Sequence, residues 1–218
     1  MIEPGRAADA MEVRRCWNCG GSYVPQPVIL TGATDFPNRT LCKATALPES
    51  LVGKSVLDVG GYDGVMAGIA LERGAMRARV VDNKQFSVYE GYPIPSMPPG
   101  VEFNESDILD FEGHSDVVFC FDVLYHVKSP YLLVEKLYEL TRETLCLSTR
   151  IVAGPDDWWR LYRPREQHQN DPTVCWKPTL GSLNKLMEIV GFRNGVNTYL
   201  EKPGTYEEVG LVVQRGKK

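Results

Sequence analysis

A strand, a glycine-rich turn, a helix and a second strand ending in a carboxylate can be read without a break from Ser55 to Asp82, SVLDVGGYDGVMAGIALERGAMRARVVD. Two successive strands joined by a helix must run parallel, and parallel strands are buried on both faces, so this unit alone commits the chain to an α/β sheet. Val56, Leu57 and Val59 form the apolar, partly β-branched run of the first strand. Gly60, Gly61 and Gly64 follow where the chain turns sharply and a ligand can approach the backbone. Met66, Ile69, Ala70 and Leu71 recur at helical spacing, with Gly74 as the C-terminal stop. Ala78, Val80 and Val81 make the second strand, which ends at Asp82. In open α/β sheets, ligands bind outside the carboxyl ends of the strands, where strand order reverses.

Three nucleotide-type ligands use such a unit, and the residues separate them. A dinucleotide site needs G-x-G-x-x-G so that a pyrophosphate can lie against bare backbone. Here Tyr62 breaks that pattern and Asp63 adds a negative charge, which argues against NAD. Gly53-Lys54-Ser55 imitates the end of a phosphate-binding loop, but Pro48 stands at the first glycine position and the triplet precedes the strand. S-adenosylmethionine has no phosphate and carries an ammonium, a carboxylate and a sulfonium. Asp58 and Asp63 suit the ammonium, and Asp82 can accept from both ribose hydroxyls.

These residues make the sequence resemble the class I, Rossmann-like S-adenosylmethionine-dependent methyltransferases. VLDVGGYDG at residues 56–64 is similar to their first motif, and Val80-Val81-Asp82 to their second. Ser106-Asp107-Ile108 is placed like the adenine-side motif, and 115–120, SDVVFC, like the fourth strand. FDVLYHVKSP, Phe121 to Pro130, is similar to the V-L-Y-H-x-x-x-P segment of a narrower group, which includes enzymes modifying the tRNA wobble uridine and relatives acting on glycans or small molecules. The resemblance implies a seven-stranded sheet with helices on both faces, its last strand antiparallel. It implies a cofactor site of Asp58, Gly60, Gly61, Tyr62, Asp63, Gly64, Asp82, Asn83, Asp107, Ile108 and Phe121. In the carboxymethyl-transferring relatives the tyrosine at the Tyr125 position helps hold an extra carboxylate on the cofactor. No accompanying basic residues can be placed from the sequence, so plain methyl transfer is the expectation.

The rest of the chain is read around this unit. A length of 218 residues, 43% hydrophobic and 24% charged, is enough for one well-cored domain. The division expected is an N-terminal extension or lid over 1–50 and the methyltransferase domain over 51–218. A net charge of −4 gives no broadly basic nucleic-acid surface. No apolar run reaches membrane-spanning length and the N-terminus lacks a signal-peptide core, so a cytoplasmic location is expected. Cys16 and Cys19 form a C-x-x-C, and with Cys42 they offer either three zinc ligands or plain thiols. Phe36, Pro37, Arg39 and Leu41 fit a segment folded over the pocket.

Beyond Asp82, the prolines of 89–100 exclude a helix, and Val101-Glu102-Phe103 reads as a short third strand. The fourth strand ends at Phe121, placing Asp122, Tyr125 and His126 just beyond it as the catalytic set. Methyl transfer is an in-line displacement on a sulfonium carbon, so acceptor alignment and exclusion of water come first. A hydroxyl acceptor also benefits from a base, and His126, which could equally serve as a packing residue, has the right intrinsic pKa. Ser129-Pro130 starts a helix whose apolar face is Leu132, Leu133, Val134, Leu137 and Leu140. Thr144 to Thr149 is the fifth strand, and Arg150 to Asp171 reads as a long aromatic and basic loop. In it Trp158, Trp159, Arg160, Tyr162 and Arg163, with Arg150, suit stacking on a base or sugar and holding an anion; packing onto the domain is the alternative. Leu180, Leu183, Leu186, Met187 and Val190 mark a last helix closed by Gly191, before two closing strands. The acceptor expected is a small-molecule or glycan hydroxyl, with modified tRNA as the enzyme alternative and a non-catalytic adaptor as the alternative of another kind.

Overall fold

The structure is a computed structural model that describes residues 43–44, 46–83, 96–155, 157–162 and 173–195, together with the backbone of 14–15, 22–23, 196–201 and 207–215. Seven strands form one sheet: β1 (Ser55–Val59), β2 (Arg77–Asp82), β3 (Val101–Glu105), β4 (Ser115–Phe121), β5 (Thr141–Ile151), β6 (Phe192–Glu201) and β7 (Glu207–Arg215). Their order across the sheet is β6-β7-β5-β4-β1-β2-β3. Strands β1 to β5 pair in parallel, whereas β7 is antiparallel to both β5 and β6. Six strands therefore run one way and β7 the other, as the resemblance implied. The chain steps outward from β1 through β2 to β3, then returns to place β4 on the other side of β1. That reversal opens a crevice at the carboxyl ends of β1 and β4.

Among the described residues, helices α1 (Val65–Glu72), α2 (Pro130–Leu140) and α3 (Leu180–Val190) cover the sheet. Alternation along the strands splits the interior into two cores. Val56, Val80, Phe119 and Cys146 face Met66, Ala67 and Ala70 of α1, together with Ala46, Leu47 and Leu51. Leu57, Val59, Val118, Cys120 and Leu147 face Leu133 and Leu137 of α2 and Leu183 and Met187 of α3. Strands buried on both faces are what the continuous apolar runs required. At the close of α3, Gly191 adopts φ +119, and a Cβ there would lie 3.0 Å from the ring of Tyr138. Tyr138 in turn meets Phe192 edge-on, with ring centroids 5.1 Å apart.

Several expected details change. β5 runs from Thr141 to Ile151, so Arg150 is a buried strand residue and the insertion starts after it. Eight of its pairs with β7, from Thr144 to Ile151, extend the ladder to that point. The insertion is also not all loop, because Trp159–Leu161 pairs antiparallel with Trp176–Pro178. Leu132 is 50% exposed, so the buried face of α2 is Leu133, Val134, Leu137 and Leu140. Ser129 caps that helix without a side-chain hydrogen bond; its carbonyl accepts the Leu133 N–H at 3.2 Å. β3 extends two residues further than read, to Glu105. No helix of the described residues is long and apolar enough to cross a membrane.

Candidate cofactor and acceptor site

Carboxylates stand at or just past the ends of three neighbouring strands. Asp58 lies within β1 and is 2% exposed. The glycine turn folds back over it so closely that a Cβ on Gly61 would be 2.5 Å from Asp58 Oδ2. Among the described residues, Asp58 Oδ2 has no hydrogen-bond partner. Burial pushes this carboxyl up to about 8, the negative charges of Asp63 and Asp82 push the same way, and Lys43 opposes them. Asp63 and Asp82 are also raised by burial.

The turn itself is shaped by close approach. Gly60 sits at φ +68, and a Cβ there would lie 2.4 Å from Val123 Cγ2, just past β4. Tyr62 is held at φ 37, an uncommon region for a side chain of its size. Asp82 accounts for that conformation: its Oδ2 accepts the Tyr62 N–H at 2.9 Å and its Oδ1 the Asn83 N–H at 2.7 Å. A carboxylate has about four acceptor positions, so each oxygen retains capacity for a ribose hydroxyl. Asp63 Oδ1 accepts the Val65 N–H at 3.1 Å and so ties the turn to the start of α1. At the end of β3, the Ser106 N–H donates to the Asp82 carbonyl at 3.1 Å. Asp107 is exposed and accepts the Leu109 N–H at 2.9 Å, while Ile108 packs partly buried against the second core. Phe121 is buried beside Phe119, ring centroids 5.7 Å apart.

On the β4 side, Asp122 adopts φ 61 and its N–H donates to the Ser148 carbonyl at 3.1 Å. Its carboxylate is paired with the Lys43 ammonium. Lys43 is a member of the site that sequence reasoning missed. A lysine fifteen positions ahead of Asp58 belongs to no motif, and only the fold brings it there. A single 3₁₀ turn, Leu124–His126, follows. Tyr125 is buried, its ring 4.2 Å from that of His126 and 4.6 Å below the Arg150 guanidinium. His126 Nδ1 is 2.8 Å from Thr173 Oγ1.

The short ribbon of the insertion is docked onto this turn. The Cys175 N–H donates to the Tyr125 carbonyl at 2.7 Å, and the Cys175 carbonyl accepts the Tyr162 N–H at 2.9 Å. Trp176 Nε1 donates to the Lys128 carbonyl at 3.1 Å. Tyr162 carries two cations about its ring, Arg160 and Lys177, each 5.1 Å from the centroid. Lys177 is 2% exposed, whereas Arg160 is exposed. Trp158 is half-exposed and lies over Gly154. Trp159 instead packs on the second core and lines a shallow groove of about 300 Å³ with Pro130, Tyr131, Lys185 and Ile189. The structure thus brings Arg150, Tyr162 and Lys177 to the Tyr125–His126 turn, and turns Trp159 toward the α2–α3 groove.

Arg163 and the cysteines Cys16, Cys19 and Cys42 lie outside the described residues, as do Phe36, Pro37, Arg39 and Leu41. Among the described residues no group of three His, Cys, Asp or Glu side chains could hold a metal. Cys120 and Cys146 are buried thiols, the latter pushed up to about 12 by burial.

A strand order that reverses beside a glycine turn, with carboxylates at the strand ends, defines the class I methyltransferase architecture. The chain belongs to the family described as methyltransferase domain, whose model matches residues 36–195. Among curated relatives it is 28% identical over 160 residues to a tRNA U34 carboxymethyltransferase of Idiomarina loihiensis, a match covering 67% of this chain and 47% of that one. The chain thus spans about half the length of that relative. Among solved structures it is similar to the N-terminal domain of EvdMO1 crystallised with S-adenosylhomocysteine and D-fucose (TM-score 0.58, 18% identity, 84% of each chain). It is also similar to a 1,6-didemethyltoxoflavin N1-methyltransferase of Burkholderia thailandensis (TM-score 0.56, 17% identity, 80% of each chain). At these identities the structural likeness speaks for the fold.

Proposed function

We propose that this chain is an S-adenosylmethionine-dependent methyltransferase whose acceptor is a tRNA nucleoside, with the uridine at position 34 the first to test. The pocket supports the cofactor by its chemistry. A buried carboxylate with an unpartnered oxygen suits an ammonium, Asp82 with acceptor capacity left suits a ribose, and the same acids repel phosphates. S-adenosylmethionine supplies an activated methyl group on a sulfonium. Asp58, the Gly60–Gly64 turn and Asp82 hold and orient it, while Asp107 and Ile108 border the adenine.

The observation that carries the tRNA reading is the docked ribbon, which sets aromatic and cationic side chains beside the Tyr125–His126 turn. Single-stranded bases are recognised by stacking on aromatic rings and guanidinium planes, which Trp158, Tyr162 and Arg160 provide. The named activity of the curated relatives points the same way. His126 acts as base where the acceptor loses a proton. Its Nδ1 lies 2.8 Å from Thr173 Oγ1, a contact that orients the ring. A small-molecule or glycan hydroxyl is the second reading, favoured by the net charge of −4.

The test is incubation with labelled S-adenosylmethionine and bulk tRNA, followed by nucleoside mass spectrometry. Label in sugar hydroxyls but never in tRNA would sink the tRNA reading. In the same assay His126→Ala is expected to lower the transfer rate by roughly 10²-fold or more while S-adenosylhomocysteine binds as before. If binding falls in parallel, His126 supports the pocket and is not the base.

A further inference from the structure

We propose that Thr173 is a positioning residue for His126, delivered to it by the ribbon, and that proton uptake from the acceptor depends on this contact. The inference rests on His126 being the base of the proposed transfer, and it names what aligns that base. A base works when its nitrogen lies within hydrogen-bond reach of the proton it takes and points along it. His126 ends a turn of only three residues and is half-buried, so its own element leaves the ring two torsions to settle. The Tyr125 ring, 4.2 Å away and tilted by 50°, bounds one side of the imidazole without setting its rotation. Direction comes from Thr173 Oγ1, 2.8 Å from Nδ1. A hydroxyl both donates and accepts, so this contact persists when the ring passes from neutral to charged. A carboxylate in its place would only accept, and would favour the charged ring before the acceptor arrives.

The ribbon explains why Thr173 stands there. At its root the Val152 N–H donates to the Pro178 carbonyl and the Thr179 N–H to the Trp158 carbonyl, both at 2.9 Å, which joins the ribbon to the end of β5 and the start of α3. At its other end the Cys175 N–H holds the Tyr125 carbonyl and Trp176 Nε1 holds the Lys128 carbonyl, one tie on each side of His126 along the chain. The Cys175 sulfur lies 3.6 Å from both the His126 and the Thr173 carbonyls. The two backbones that carry the ring and the hydroxyl therefore meet at one side chain. The facing strand reaches the same point, because the Cys175 carbonyl accepts the Tyr162 N–H. Ring and hydroxyl are 47 positions apart in sequence, so their alignment is a product of the docked ribbon.

The experiment compares the wild-type chain with Thr173→Val and Thr173→Ser by three readouts: transfer from S-adenosylmethionine to bulk tRNA, calorimetric binding of S-adenosylhomocysteine, and the imidazole nitrogen NMR resonances of the ligand-free chain. The sequence holds 3 histidines, and the signals lost in His126→Ala assign that ring. Thr173→Val keeps the side-chain shape and removes the hydroxyl. It is expected to lower kcat about tenfold or more, to leave KM for tRNA and S-adenosylhomocysteine affinity within about twofold, and to move the Nδ1 resonance of His126. Thr173→Ser keeps the hydroxyl and is expected to restore kcat to within about threefold of wild type. A Thr173→Val chain with wild-type kcat, or with the Nδ1 resonance unmoved, overturns the assignment. So does a rise in KM or a loss of S-adenosylhomocysteine affinity that matches the fall in kcat, or a Thr173→Ser chain as slow as Thr173→Val. Wild-type transfer by His126→Ala overturns the base reading itself, and tRNA that takes no label overturns the tRNA reading; the nitrogen resonance tests the Thr173 contact separately from both.

Discussion

Asp82→Ala is expected to weaken S-adenosylhomocysteine binding by about a hundredfold or more, read by calorimetric titration. Two effects combine. Each ribose hydroxyl donating to the carboxylate is a charge-assisted hydrogen bond, contributing roughly 1.5–3 kcal/mol when its partner is otherwise left unpaired. The alanine also strips the Tyr62 and Asn83 N–H groups of their acceptor, at 2.9 and 2.7 Å in the intact protein. Tyr62 is held at a positive φ partly by that bond, so the glycine turn loses its preorganisation as well. Asp82→Asn keeps the shape and one neutral acceptor, and is expected to lose less. Affinity within twofold of wild type in Asp82→Ala would place the ribose elsewhere.

Asp58→Asn is expected to raise the stability of the ligand-free chain at neutral and mildly alkaline pH, and to weaken ammonium-bearing ligands. The folded carboxyl is pushed up to about 8 from an ordinary 3.8. Below 3.8 both folded and unfolded chains hold the proton, and Asp58 costs nothing. As pH rises from 3.8 toward 8 the unfolded chain releases its proton first, so the unfolded state gains on the folded one; above 8 the full cost is present. At about 1.4 kcal/mol per pH unit the ceiling is roughly 4 kcal/mol at pH 7. A gain of at least about 1 kcal/mol at pH 7–8, shrinking toward zero near pH 4, is the expected result in denaturant unfolding. A gain independent of pH, or a loss at pH 8, would show that Asp58 is not the buried acid responsible.

The second half of the sheet was as legible as the first. Gly191 closing α3 and Pro130 opening α2 follow from local chemistry, a residue free to adopt positive φ and a fixed φ at the first helical turn, whereas the reversed β7 was implied by the family resemblance alone. The insertion was harder. Its tryptophans and arginines read alike as lid or packing, and nothing local says that Trp159 turns onto the core while Tyr162 collects Arg160 and Lys177. Arg150 misled because a cation after an apolar strand looks like a loop residue. Its burial comes from the β5 ladder with β7, a pairing more than fifty residues away in sequence.

What the sequence determined by itself was the βαβ unit and the carboxylates at its strand ends, because periodicity, glycine and charge act within a few residues of where they are written. The tertiary structure alone decided which charges face one another. Lys43 reaches Asp122 across 79 positions, and Cys175 ties the ribbon to Tyr125 across 50. Pairings of that span are set by how α1, the sheet and the segment before β1 close around a common core, and electrostatic energy depends on the distances that closure creates.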